Sequence, residues 1–149
     1  MEVSMAESSI LHLLAGKSET IERCIARARE EYFADPDTFL TNYTRQDAAV
    51  LNLLRACESC IDMGQVVIHH HRMGIPKSAK DVFAILEKSG YFEQNLTVAL
   101  MNMVSYRNIA VHQYKQMDMA ITIEIIERHL TDLLEFRRRI LLKEGLSVI

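Results

Sequence analysis

Apolar side chains recur every three or four residues along most of this chain, which is the spacing of one face of an α-helix. Between Thr44 and about His71 they fall within an arc of about 140° at 100° per residue. The few glycines and prolines stand mainly between such stretches, at Gly16, Pro36, Gly74, Pro76, Gly90 and Gly145. The pattern predicts an all-α, up-and-down bundle of about five helices.

The predicted helices cover about residues 18–32, 44–71, 78–90, 95–112 and 118–145. Ser18, Thr44 and Asp118 are the expected N-terminal caps, because their side-chain oxygens accept hydrogen bonds from the first free amides. Residues 1–16 are predicted to be a partly helical extension, and residues 17–149 the helical domain. Gly64 lies inside the second helix, near the middle of its buried face, where the missing side chain would let another helix approach closely.

The last predicted helix has apolar residues on two sides. Ile121, Ile125 and Phe136 lie away from its main apolar face, so something must cover them. A second copy of the chain would do so, and we expect a homodimer. The alternative is that these residues pack under the N-terminal segment.

Charge and composition exclude several classes of protein. Residues 94–106 form the longest stretch without a charged residue, which is too short and polar to cross a bilayer. Residues 1–7 carry acids rather than the basic residues of a signal peptide, so a cytoplasmic location is expected. The net charge of −3 argues against non-specific coating of nucleic acid, and three cysteines suggest no disulfide framework.

Three clusters have more than one interpretation. Cys57 and Cys60 form a CxxC in mid-helix on the apolar arc, which favours core packing over a redox pair or a zinc site. The run of histidines at residues 69–71 could suggest a metal, but consecutive helical side chains diverge, which favours a structural or exposed role at a helix end. The basic residues of the last helix, centred on residues 137–139, are either a solvated face or a phosphate-contacting rim.

Residues 106–114 form the most informative segment. Arg107 projects into the apolar stripe of the fourth helix, where a guanidinium is costly unless it is paired or opens into a polar crevice. It either extends along the apolar surface to place its charge in solvent, pairs with an acid such as Glu58 or Asp62 on the second helix, or serves a site together with Asn108 and His112.

The chain must also turn near this segment. Residues 91–144 contain no Gly or Pro, and as one helix they would be about 81 Å long. The apolar periodicity lapses at residues 113–117, so the fourth helix is predicted to end near His112, with Tyr114 in the turn.

Residues 107–114 read Arg-x4-His-x-Tyr, with Asn directly after the Arg, and residues 51–62 read Leu-Asn-Leu-Leu-Arg-Ala-Cys-Glu-Ser-Cys-Ile-Asp. From about residue 17 onwards the chain resembles HEPN-domain toxins of the HepT type, which are small helical bundles paired with an MNT-type nucleotidyltransferase antitoxin. The resemblance implies a ribonuclease that needs no metal or other cofactor, with RNA as substrate. It implies catalytic roles for Arg107, Asn108 and His112, and AMPylation of Tyr114 by the antitoxin. We expect no DNA or membrane partner.

The residues suit that chemistry. His112 can act as base or acid near neutral pH, and the Arg107 fork can contact phosphate oxygens. One chain supplies a single such His, whereas a two-fold dimer would bring two into one cleft. Two alternatives remain: a non-catalytic module that binds a nucleotide or the partner enzyme, and a purely structural dimerising bundle with Arg107 in a buried ion pair.

Overall fold

The computed structural model describes residues 4–146 and contains six α-helices in that part of the chain. They are α1 (Met5–Phe33), α2 (Tyr43–His70), α3 (Ala79–Lys88), α4 (Gln94–His112), α5 (Met119–Glu124) and α6 (Leu130–Lys143). Short 3-10 helices at Pro36–Thr41 and Tyr114–Gln116 follow α1 and α4. The predicted all-α fold is confirmed. Across these residues, none of the helices has an apolar run long enough to span a membrane.

Helix α1 begins at Met5 and not near Ser18, so the predicted start was wrong. The true cap is Ser4, whose Oγ accepts a hydrogen bond from the Glu7 amide while the Glu7 carboxylate accepts one from the Ser4 amide. This reciprocal pair is a capping box, and its Ser-x-x-Glu spacing is visible in the sequence. Ser18 is instead buried inside the helix.

The first half of α1 packs into the core. Ile10 and Leu14 are buried, and Gly16 is exposed within the helix without interrupting it. The helix therefore continues through the division predicted between residues 16 and 17. The division of the chain into residues 1–16 and residues 17–149 stays a prediction about which residues correspond to the family's domain.

Helix α2 is capped by Asn42, whose Oδ1 accepts from the Arg45 amide at 3.1 Å, and not by Thr44 as predicted. The predicted close approach at Gly64 is confirmed. A Cβ added there would lie 2.5 Å from Val82 Cγ1 on α3. The glycine therefore fixes the distance between α2 and α3.

The predicted last helix is divided by a π-helical turn at Ile125–His129. A π turn closes hydrogen bonds to the fifth residue, so it shifts the phase of the faces on either side of it. As a result Phe136 is fully buried and packs edge-to-face on Phe83, with ring centroids 5.4 Å apart. Ile125 is buried as well, so the chain itself covers these two residues and neither requires a second copy. Ile121 alone of the three predicted residues is exposed.

Candidate active site

Arg107 lies on the buried face of α4, as the sequence predicted, with 19% of its side chain exposed. Its Nε lies 2.8 Å from Glu58 Oε1 on α2. The N–H direction misses the carboxylate, so Nε has no aligned hydrogen bond within residues 4–146 and the contact is an ion pair. The other acid considered, Asp62, lies 3.4 Å from Lys17 instead.

Asn108 contacts the same guanidinium. Nη1 of Arg107 donates a hydrogen bond of 2.8 Å to Asn108 Oδ1. Glu58 and Asn108 therefore fix the orientation of the Arg107 side chain. The remaining nitrogen, Nη2, donates no hydrogen bond to another residue in the described part of the chain.

His112 is the last residue of α4 and is exposed. The predicted end of the helix at this position is confirmed. Because α4 is regular up to His112, the ring leaves the helix about 140° round from Arg107, while Asn108, one turn earlier, shares its face. Within one chain the structure thus brings Arg107 and Asn108 together, and His112 lies on the adjoining face of the helix end.

The turn after α4 needs neither Gly nor Pro. Gln113 leaves helical geometry at φ −140° and ψ 40°, and a 3-10 helix follows at Tyr114–Gln116. Asp118 then caps α5 by accepting from the Ala120 amide at 2.9 Å, as predicted. The reversal occurs at the predicted residues.

Tyr114 is 38% exposed in this turn. Its hydroxyl donates a hydrogen bond to Asp47 Oδ1 on α2. Partial burial of the phenol and the adjacent Asp47 carboxylate raise the pKa of Tyr114 to about 12. The sequence does not indicate this contact, because nothing in it relates residues 67 positions apart.

An apolar groove of about 570 Å³ lies between α4 and the α5–α6 segment. Val98, Ile109 and Ile121 line it and are all exposed. By helical spacing, His112 lies on the same face of α4 as Val98 and Ile109. His112 follows Ile109 on this side of the helix end but is not among the residues that line the groove.

The CxxC is part of the core, as predicted. Cys57 and Cys60 are buried, and Cys57 Sγ lies 3.7 Å from the Met103 carbonyl oxygen. Burial raises the pKa of Cys57 to about 12 and that of Cys60 well above its usual value. Both are thiols at neutral pH.

The histidine run and the basic cluster have structural contacts. His71 Nε2 lies 2.9 Å from Glu144 Oε2, and the described residues contain no group of three His, Cys, Asp or Glu side chains placed to hold a metal. Arg137 is buried, with Nη2 2.7 Å from Glu22 Oε1, so it belongs neither to a solvated face nor to a phosphate-contacting rim. Arg138 pairs with Glu135 within α6.

The bundle and the Arg-x4-His-x-Tyr segment at the end of α4 are features of HEPN ribonucleases. The sequence profile of the HepT-like family, described as "Ribonuclease HepT-like", matches residues 21–140. The chain belongs to this family.

Named relatives agree with that assignment. The chain is 37% identical over 124 residues to a protein of Shewanella oneidensis named "mRNA nuclease HepT", covering 83% of this chain and 92% of that one. It is similar to a chain of a toxin–antitoxin crystal structure with AMP-PNP, with a TM-score of 0.83, 36% identity and coverage of 87% and 97% of the two chains. It is also similar to a tri-AMPylated Shewanella oneidensis HEPN toxin in complex with an MNT antitoxin, with a TM-score of 0.82, 37% identity and coverage of 86% and 96%.

Proposed function

We propose that this chain is a metal-independent ribonuclease and the toxin of a toxin–antitoxin pair, with Arg107, Asn108 and His112 as catalytic residues. The observation that carries the proposal is the Arg107 side chain, which is held by Glu58 and Asn108 at the end of the helix that ends in His112. A guanidinium fixed before substrate binds needs no reorganisation to stabilise phosphate charge. RNA is the substrate.

The reaction is attack of a ribose 2′-oxygen on the adjacent phosphorus. A new O2′–P bond forms, the P–O5′ bond breaks, the 2′-hydroxyl proton passes to a base, and an acid protonates the leaving O5′. His112 serves as base or acid, Arg107 stabilises the charged phosphorus centre, and Asn108 orients the phosphate or the guanidinium.

A homodimer supplies the second histidine. The exposed apolar side chains of Val98, Ile109 and Ile121 support association through the groove beside α4, because a second copy would remove them from water. His112 shares this face of α4, so a two-fold axis near the groove would bring the His112 side chains of the two copies into one composite cleft.

A nucleotidyltransferase antitoxin of the MNT type neutralises the toxin by attaching AMP to Tyr114. Tyr114 is partly exposed and follows His112 by two residues, which supports this assignment. Each added phosphodiester brings a negative charge to the cleft and competes with RNA for Arg107.

The test is expression in a bacterial host of the wild type, His112→Ala, Arg107→Ala and an exposed control, His69→Ala, each with and without the antitoxin. Without the antitoxin, wild type and His69→Ala should arrest growth and degrade RNA, and the two site variants should not. Loss of a general acid or base costs about 10²–10⁴ in rate, and loss of a donor that stabilises transition-state charge costs about 10²–10³. Intact mass after co-expression should rise in AMP units and stay unchanged in Tyr114→Phe. Equal RNA integrity in all variants would indicate either a non-catalytic nucleotide- or partner-binding module or a purely structural bundle.

A further inference from the structure

The turn at residues 113–117 has one side-chain hydrogen bond to a distant element in the described part of the chain, from the Tyr114 hydroxyl to Asp47 Oδ1. The backbone bonds of this turn are local, from Gln113 N to Ile109 O, Gln116 N to Gln113 O and Met117 N to Tyr114 O. Residues 113–116 are exposed. Met117, at the end of the turn, packs against the core, so the Asp47 contact is what links the exposed part of the turn, residues 113–116, to α2.

Asp47 lies near the start of α2, where hydrogen bonds of neighbouring residues hold the helix in place. It lies in the second turn of α2, above the Asn42 cap. The neighbouring Gln46 is buried, and its Nε2 donates 2.9 Å to the carbonyl of the fully buried Phe39. Asp47 thus offers its carboxylate from a fixed position.

We propose that Asp47 is a positioning residue, which holds Tyr114 and with it the turn that directly follows His112, and that attachment of AMP to Tyr114 breaks this contact and releases the turn. This inference rests on the proposed function for the modification and extends it. In the proposed function AMP competes with RNA for Arg107, whereas here the modification also removes a support next to His112.

The chemistry of transfer requires the contact to break. Tyr114 Oη forms a bond to the α-phosphorus of a nucleoside triphosphate, the bond from that phosphorus to pyrophosphate breaks, and the hydroxyl proton goes to solvent. The modified oxygen has no proton to donate to Asp47. The new phosphodiester also carries a negative charge close to the Asp47 carboxylate, so an attraction becomes a repulsion.

Amide hydrogen exchange of residues 113–117 tests the positioning role without reference to activity. Asp47→Ala in the unmodified full-length chain should raise exchange in this turn about five- to tenfold, the effect of losing one partly exposed, charge-assisted hydrogen bond. Asp47→Asn keeps a carbonyl acceptor and should restore most of the protection. Asp62→Ala removes an acid from the same helix, outside the turn, and should leave exchange unchanged.

Exchange of the AMPylated wild type tests the release. After co-expression with the antitoxin, residues 113–117 should exchange as fast as in unmodified Asp47→Ala. The proposal would be overturned if residues 113–117 of the AMPylated wild type, or of unmodified Asp47→Ala, exchanged as slowly as those of the unmodified wild type. It would also be overturned if Asp47→Asn lost as much protection as Asp47→Ala.

RNA cleavage separates this inference from the proposed function. Asp47→Ala should slow cleavage by about the same five- to tenfold, Asp47→Asn should largely restore it, and Asp47→Ala combined with Tyr114→Phe should be no slower than either single variant. If the wild type cleaves no RNA, the proposed function fails while the exchange data still decide the positioning role. If the wild type cleaves RNA and Asp47→Ala cleaves as fast, the proposed function stands and the positioning role is overturned.

Discussion

Arg107 has both a structural partner, Glu58, and a proposed contact with phosphate. The ion pair with Glu58 requires only a positive charge, whereas the phosphate contact also requires the planar guanidinium. Lysine keeps the charge that Glu58 requires but lacks the planar fork that contacts phosphate oxygens in pairs. We expect Arg107→Lys to fold with nearly wild-type stability and to cleave RNA about 10²-fold more slowly.

Single-turnover cleavage and a urea unfolding curve on the same sample check this prediction. Arg55→Lys, an exposed arginine on α2, is the matched control and should change neither value. An Arg107→Lys chain that cleaves at the wild-type rate would indicate that Arg107 contributes only its charge to the bundle.

Tyr106 should lower the stability of the fold at alkaline pH. Its hydroxyl lies 2.9 Å from Thr122 Oγ1, and burial raises its pKa to about 12. The ordinary pKa of tyrosine is about 10. A folded-state pKa above the unfolded value gives stability that is complete below pH 10 and is lost as the pH rises towards 12.

Between pH 8 and pH 11 the wild type should therefore lose about 1 kcal/mol more unfolding free energy than Tyr106→Phe. Urea midpoints across this range measure the difference. Tyr43→Phe, at a largely exposed position, is the control and should follow the wild type. Parallel pH profiles for wild type and Tyr106→Phe would contradict the assignment.

At the scale of the elements, the two glycines inside helices have opposite surroundings. An alanine Cβ at Gly64 would meet Val82 at 2.5 Å and Leu86 at 3.1 Å, whereas one at Gly16 would meet nothing within 4 Å. Gly16→Ala should stabilise the fold by about 1 kcal/mol through helix propensity. Gly64→Ala should destabilise it by about 1–3 kcal/mol, because overpacking outweighs that gain.

Thermal unfolding of the two variants checks this pair, and each serves as the control for the other. An increase in melting temperature in both would mean that α2 and α3 move apart freely at Gly64.

The sequence predicted the helices better than their phases and ends. Spacing located α2, α3 and α4, and Asp118 marked the start of α5. Burial of Phe136 was not predictable by counting at 100° per residue, because the π turn at Ile125–His129 changes the angle and no residue type in it announces that change. Gly16 was read as a break, although an exposed glycine costs a helix only about 1 kcal/mol.

The sequence indicated the contacts of Arg107 in the candidate site but not the contact between Tyr114 and Asp47. Asn108 was predicted to share a site with Arg107, and the partner Glu58 was one of two acids named on the second predicted helix. The contact of Asp47 with Tyr114 could not be predicted, since the distance between the two residues depends on how α2 and α4 are packed. The catalytic and modification roles of these residues stay predictions.

At the scale of the whole molecule, the orientation of α4 makes the second copy part of the proposed chemistry. Arg107 faces α2, whereas His112 lies on the face that also bears the groove residues Val98 and Ile109. One chain therefore presents a single histidine at the edge of an uncovered apolar surface. Association across that surface would complete the acid and base, so cleavage and dimerisation should be lost together.

Ile121→Asp tests this coupling, because Ile121 lines the groove and is 49% exposed. An aspartate there leaves the isolated chain folded, since it faces water, but would bury a charge in the dimer. Light scattering should show the variant as a monomer, with RNA cleavage reduced at least about 10²-fold. Leu13→Asp, at a position of α1 that is 48% exposed, is the matched control and should remain dimeric and active. A monomeric Ile121→Asp chain that still cleaves at the wild-type rate would show that one chain holds the complete site. A wild type that is monomeric at every concentration would overturn the proposed composite cleft.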